Sequence, residues 1–238
     1  MTMLQLQQIS KQFGGVSALS NLSMEVAEGS IHGVIGPNGA GKTTLISIIS
    51  GFERPTSGRI LFEQRDISAL PVFRRVRCGI ARTFQIPQPF ATLTLLENIM
   101  IPLLQRMKRS AAERRAGEIA EQLLLGNELE QPVQTLPVGT LKLLELARAV
   151  AAQPRLLLVD EPMGGLGADR MEGMIRLLRG IRDEGVTIVL VEHVMQAVVA
   201  LADQLTVLNF GQALAQGETE AVLRMPEVIE AYLGADHA

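Results

Sequence analysis

The chain has 238 residues, a formal net charge of −3, 3% aromatic residues and one cysteine, Cys78. The single cysteine excludes an internal disulfide framework and fits a reducing compartment, and the acidic balance with few aromatics argues against nucleic acid as a partner. The length allows one large or two small domains with a real core, and no stretch approaches the roughly 18 apolar residues of a membrane span.

The first residues, Met1-Thr2-Met3-Leu4-Gln5-Leu6, lack the basic region and apolar run of a secretory leader, so a cytoplasmic location is expected. Leu4, Leu6 and Ile9, then Leu22, Met24 and Val26, stand among polar residues, which predicts antiparallel strands with one solvated face. Ile31-His32-Gly33-Val34-Ile35 is short and mostly apolar, as a buried parallel strand should be.

Directly after it comes Gly36-Pro37-Asn38-Gly39-Ala40-Gly41-Lys42-Thr43-Thr44, a complete G-x-x-x-x-G-K-[ST] phosphate loop, and then a helix that ends near Ser50-Gly51. The glycines let backbone N–H groups converge on phosphate oxygens, and the helix N-terminus adds a favourable partial positive charge. Lys42 would reach the β- and γ-phosphates and Thr43 would ligate Mg²⁺, so the chain is expected to bind a nucleoside triphosphate.

Ser57-Gly58 reads as a turn, followed by a short strand at 59–62. Residues 89–135 change character. Thr94-x-x-Glu97 is a capping box opening one helix, and residues 111–125 form a charged amphipathic helix stopped at Gly126-Asn127. The α/β frame resumes with strands at 156–159 and 186–191 and helices at 141–152 and 170–182. The expected organisation is a frame of residues 1–88 and 136–238 with a helical insert at 89–135.

Leu156-Leu157-Leu158-Val159-Asp160-Glu161 is an apolar strand ending in two carboxylates. Asp160 would hold Mg²⁺ through water opposite Thr43, and Glu161, one residue on, can accept a proton from an attacking water. By itself the pair could be a solvated acidic end of a core strand; the phosphate loop upstream favours the functional reading.

With these elements the chain resembles the ATP-binding subunits of ABC transporters nearly end to end. The resemblance implies a P-loop NTPase core of mostly parallel sheet, with an antiparallel β subdomain and a helical insert. Phe13, 29 positions before Lys42, matches the aromatic that stacks on adenine, although a plain strand-end residue looks the same. Gln85 in Arg82-Thr83-Phe84-Gln85 matches the glutamine that touches Mg²⁺ or the attacking water, and His193 in Val191-Glu192-His193 matches the histidine at the γ-phosphate. A lone Gln is usually surface and a lone His usually structural; His32 and His237 match no such position and read as non-functional.

The signature segment departs from the family's Leu-Ser-Gly-Gly-Gln. Here it is Leu136-Pro137-Val138-Gly139-Thr140, so the serine hydroxyl is missing while Gly139, Thr140 and a helix N-terminus remain to approach a partner's nucleotide. Gly167 likewise stands where the family has Asp or Asn.

Residues 82–85, 93–100, 208–211 and 226–234 look like the branched-chain amino acid importer ATPases in particular, with lipopolysaccharide-export and urea-uptake ATPases sharing much of the framework. The resemblance implies an ATPase working as a head-to-tail dimer, more readily with a different ATPase subunit than with itself. It also implies attachment to the inner face of the cell membrane through permease subunits docked on the insert. Pro89, Phe90, Leu93, Leu95 and Leu96 are expected to carry the apolar docking patch. A soluble ABC-type ATPase acting on DNA or ribosomes, or a regulatory subunit that barely hydrolyses ATP, are the alternatives.

Overall fold

The computed structural model describes the backbone of residues 1–233 and the side chains of residues 1–231; His237 and Gly234 lie outside the described residues. In chain order the elements begin with β1 (Thr2–Phe13), β2 (Val16–Ala27), β3 (Ile31–Ile35), α1 (Lys42–Ser50), β4 (Ser57–Phe62), β5 (Arg65–Asp66), α2 (Val72–Cys78) and β6 (Ile80–Arg82). Then come α3 (Leu95–Leu104), α4 (Arg109–Gln122), α5 (Val138–Ala151), β7 (Leu156–Asp160), α6 (Ala168–Asp183) and β8 (Thr187–Val191). The chain continues through α7 (Met195–Leu201), β9 (Gln204–Asn209), β10 (Gln212–Glu218), α8 (Thr219–Leu223) and α9 (Pro226–Leu233).

Two sheets result. The first is antiparallel, in the order β2-β1-β4-β5, and the buried residues of its long hairpin include Leu4, Leu6, Ile9, Leu22, Met24 and Val26, as the pattern requires. The second has the order β10-β9-β3-β8-β7-β6, parallel throughout except for the antiparallel edge strand β10. Strands β3, β7 and β8 are buried at every residue, which is why they read as unbroken apolar runs rather than alternations.

Three local readings change. Ser57-Gly58 lies inside β4 and is no turn: the register of β1 against β4 shifts between Gln7 and Ser10, and a side chain at Gly58 (φ 93°) would meet the carbonyls of Gln7 and Gln8. The glycine serves a close backbone approach at an irregular pairing. Helix α4 ends before Gly126, because Leu124 itself takes the left-handed conformation (φ 59°). The Leu125 and Leu124 amides then donate to the Ala120 and Glu121 carbonyls, and Leu125 is buried, a Schellman closure with leucine in the usual glycine place. Helix α5 starts at Val138 with Pro137 at its N-cap, so Gly139 and Thr140 lie in its first turn.

Helices α3 and α4 pack with α5 and α6 on one face of the parallel sheet, in one continuous apolar cluster that also takes in Leu157, Val159, Ile188 and Leu190. The insert therefore has no separate core. The opposite face of the sheet packs with α1 against the antiparallel sheet. Leu95, expected on a docking surface, is completely buried, and Leu96 packs against the core; Phe90 stays about half exposed. The capping box places the first turn of α3 so that Leu95 points inward, with both the Thr94 and Glu97 bonds formed. Among the described residues no helix is long and apolar enough to cross a membrane.

Candidate nucleotide site

The phosphate loop is shaped by three glycines with positive φ, Gly36 (153°), Gly39 (81°) and Gly41 (103°). Side chains at Gly36 and Gly41 would collide with the Leu208 carbonyl and with the Ala18 carbonyl and Leu19, whereas nothing lies within 4 Å of a side chain built at Gly39. The loop is thus packed against β2 and the β9–β10 hairpin on one side and open at its tip. The Gly211 amide donates to the Ala40 carbonyl at 3.1 Å, and the Ser20 amide to the Gly211 carbonyl at 2.8 Å.

Gly41 caps α1 with no side-chain hydrogen bond, leaving the first-turn amides free of side-chain partners, with Thr43 exposed and Lys42 buried. The Lys42 ammonium donates to the Gly36 and Pro37 carbonyls at 2.7 and 3.0 Å, and burial holds its pKa below the ordinary lysine value despite Glu161 and Asp160 nearby. Phe13 ends β1 about half exposed, with the Lys11 ammonium 4.6 Å from its ring centre.

Strand β7 delivers Asp160 and Glu161 beside this loop, and its register against β8 sets His193 two residues past the strand end opposite. Glu161 has left the strand conformation (φ 48°), its amide donating to the Val191 carbonyl at 2.9 Å, so its carboxylate diverges from that of Asp160. The Gln85 side-chain amide donates to Glu161 Oε2 at 2.6 Å, and His193 Nδ1 stands 3.7 Å from the same oxygen. Gln85, His193 and Glu161 are therefore one constellation; Gln85 turns its amide toward Glu161 rather than toward Asp160.

Asp160 is nearly fully buried, which pushes its pKa up, against the pull of Arg82, whose guanidinium donates to Asp160 Oδ2 at 3.0 Å. Arg82 also donates to Ser47 on α1 at 3.2 Å and lies over the rings of Phe84 and Phe52, 5.1 and 5.8 Å from their centres. A three-residue strand beside β7 gave no local signal for this pairing. Lys142, on α5, is a second cation that the motifs did not indicate, its ammonium donating to the carbonyls of Glu161 and Gly164.

At the first turn of α5, Pro137 offers no side-chain cap and Gly139 is overlain by the Arg170 guanidinium. Glu145 and Arg148 of the same helix form an ion pair at 2.7 Å and take the amide and carbonyl of Gln88, and Arg148 stacks 4.9 Å from the ring centre of Phe90. The segment after Gln85 is thus fastened to the helix of the signature segment. Phe52, Ile86 and Phe90 are exposed on this segment and at the end of α1.

Among the described residues no three His, Cys, Asp or Glu stand together as a protein-only metal cage. The donor set is one hydroxyl (Thr43) and one carboxylate (Asp160) beside a phosphate-binding loop, which fits Mg²⁺ held jointly with substrate phosphates.

Comparisons with known proteins show the family. The family model "ABC transporter" matches residues 19–164, and "Branched-chain amino acid ATP-binding cassette transporter" matches residues 214–238. The chain is 39% identical to a probable branched-chain amino acid transport ATP-binding protein LivG of Archaeoglobus fulgidus, over 99% of this chain and 96% of that protein. It is 34% identical to the high-affinity branched-chain amino acid transport ATP-binding protein BraF of Pseudomonas aeruginosa, over 97% of each. Among solved structures, a nucleotide-free ATP-binding cassette from an ABC transporter superposes with a TM-score of 0.89 at 31% identity, covering 98% of this chain and 99% of that one. An ADP-bound cassette gives 0.88 at 32% identity, covering 98% of this chain and 99% of that one. From the phosphate loop to the paired carboxylates, and from the two sheets to the relatives in sequence and structure, this chain belongs to the ABC transporter family as an ATP-binding cassette ATPase.

Proposed function

We propose that this chain is the ATP-hydrolysing subunit of an importer for branched-chain or related amino acids. The observation that carries the reading is the convergence of Gln85 and His193 on the Glu161 carboxylate beside the loop that bears Lys42. The relatives named for branched-chain amino acid transport support the substrate class.

In this reading the phosphates of ATP rest on the amides of residues 36–44, and Phe13 stacks on adenine. Lys42 exchanges the Gly36 and Pro37 carbonyls for β- and γ-phosphate oxygens. Thr43, Asp160 and, in a closed state, Gln85 would hold Mg²⁺, which would supply neutralisation of the phosphate charge. Glu161 takes the proton of the water that attacks in line, and Lys42 and His193 stabilise the charge that develops on the transferred group. Products are ADP and phosphate.

The opposite side of the nucleotide is supplied by the signature helix of a second ATPase subunit, toward which Gly139 and Thr140 of this chain reciprocate. Because this chain lacks the serine hydroxyl, a different subunit is the better partner. Residues 89–135 act as a helical subdomain, and the exposed Phe52, Ile86 and Phe90 receive permease subunits that hold the protein at the inner face of the membrane.

The test is Glu161→Gln. It should bind ATP, not cleave it, and accumulate as an ATP-stabilised dimer with its partner subunit on size exclusion. Hydrolysis at the wild-type rate refutes the assignment, and co-purification with permeases of another substrate class refutes the importer reading.

A further inference from the structure

We propose that Glu192 is a positioning residue that sets the spacing between Glu161 and His193; the inference rests on the hydrolytic reading given above. Strand β8 is apolar and buried to its last residue, and the next residue is a glutamate with no solvent exposure. A charge at such a place is costly unless its oxygens are fully engaged.

They are. Glu192 Oε1 accepts from the Met163 amide at 2.8 Å, and Oε2 accepts from the His193 and Val194 amides at 2.9 Å each. Met163 lies two residues beyond Glu161, so one carboxylate ties the segment that carries the base to the segment that carries the histidine. The Lys142 ammonium, attracted by Glu192 and Glu161, grips the other side of the same segment through the Glu161 and Gly164 carbonyls. Glu161, in its left-handed conformation, is thereby fixed at its amide by Val191, at its carbonyl by Lys142 and two residues on by Glu192.

The chemistry requires a carboxylate. Three N–H donors meet an acceptor-only group, whereas a glutamine presents one acceptor oxygen and an NH₂ that opposes at least one of those donors. The His193 Nδ1 to Glu161 Oε2 distance of 3.7 Å lies just outside hydrogen-bond range, so a small movement of either segment makes or abolishes that contact. Misplacement of a reacting group by about 1 Å can cost about 100-fold in rate.

The experiment compares wild type, Glu192→Gln, His193→Ala and the double variant for kcat, KM for ATP, thermal midpoint and the imidazole ¹H–¹⁵N spectrum. Glu192→Gln should lower kcat by about tenfold or more while KM changes less than about twofold, the signature of lost alignment rather than lost binding. In the His193→Ala background the same change should lower kcat by clearly less than it does in wild type, because the part of its effect that acts through that histidine is already gone. The His193 resonances, identified by their loss in His193→Ala, should move in Glu192→Gln while those of His32 stay. An unchanged kcat, or an equal further loss in the His193→Ala background, overturns the proposal, as does an unmoved His193 signal. If Glu192→Gln does not fold, Glu192→Asp, which keeps the charge and shortens its reach, carries the same comparisons. Glu161→Gln in parallel separates the failures: wild-type turnover there removes the hydrolytic reading, whereas its inactivity beside a fully active Glu192→Gln removes only the role of Glu192.

Discussion

Replacing Arg82 by methionine keeps the length of the side-chain stem and removes its charge. The guanidinium is about nine-tenths buried and Asp160 more so, and their 3.0 Å ion pair is the largest influence opposing the burial that pushes the Asp160 pKa up. Without Arg82 the desolvated carboxylate keeps only the weaker pull of Lys42 against the repulsion of Glu161, and breaking such a pair from one side costs about 3–5 kcal/mol. The stacking on Phe84 and Phe52 is lost as well, about 0.5–1 kcal/mol for each contact that remains partly exposed. For a domain of this size each kcal/mol lowers the thermal midpoint by about 2–4 °C, so a loss of about 4–7 kcal/mol implies a fall of roughly 8–28 °C.

Calorimetry on the nucleotide-free chain measures it, with Arg82→Met/Asp160→Asn as the decisive companion. The double variant removes the stranded charge and should recover most of the loss. The pH dependence has a fixed sign. A carboxyl whose pKa is raised in the folded state binds more protons there than in the unfolded chain, so its penalty is present above the raised value and fades as pH falls to the ordinary carboxylate range. The Arg82→Met deficit should therefore shrink on acidification. A midpoint within about 2 °C of wild type at neutral pH, or a double variant no more stable than the single, refutes the account.

Lys42→Ala should abolish hydrolysis, because no other cation in the loop replaces it and loss of such charge stabilisation costs several kcal/mol; undiminished turnover at saturating ATP places the site elsewhere. Pro137→Ser should raise turnover of the chain alone by about 10- to 100-fold, the equivalent of one charge-assisted hydrogen bond of about 1.5–3 kcal/mol, and fast wild-type turnover without a gain from serine shows that backbone amides around Gly139 suffice. His32 is buried with its pKa lowered to about 4, its Nε2 within 2.8 Å of the Thr206 hydroxyl. The folded state then binds fewer protons than the unfolded one, so up to about 3 kcal/mol of stability is lost as pH falls from 6.5 toward 4. Urea titrations of wild type and His32→Asn across that window should converge at low pH; parallel curves refute the assignment.

The phosphate loop was legible because its demands are local: glycines where φ must be positive, an apolar strand before and a helix after. Asp160 and Glu161 were legible for the same reason, as a polar pair ending an apolar run. What escaped is what depends on strand order. Arg82 meets Asp160 across 78 positions only because β6 lies beside β7, and no pattern within β6 announces that neighbour. Residues 57–58 were misread because a glycine that admits a crossing carbonyl and a glycine that makes a turn are identical in sequence. Leu95 was misplaced because an apolar residue at a helix start has an inside and an outside, and the Thr94–Glu97 box decides between them only through the angle at which the helix enters.

The β9–β10 hairpin carries none of the nucleotide-contacting residues assigned above, yet Leu208 and Gly211 close against Gly36, Ala40 and Gly41. Its consequence is entropic. A glycine-rich loop free to wander must be ordered when a triphosphate arrives, at about 1–2 kcal/mol for each residue fixed. Here that ordering is done by folding, and binding keeps the corresponding affinity. Nucleotide affinity in this chain is therefore distributed well beyond its motifs: a bulkier residue at Gly211 would weaken ATP binding without touching a single atom of the ligand.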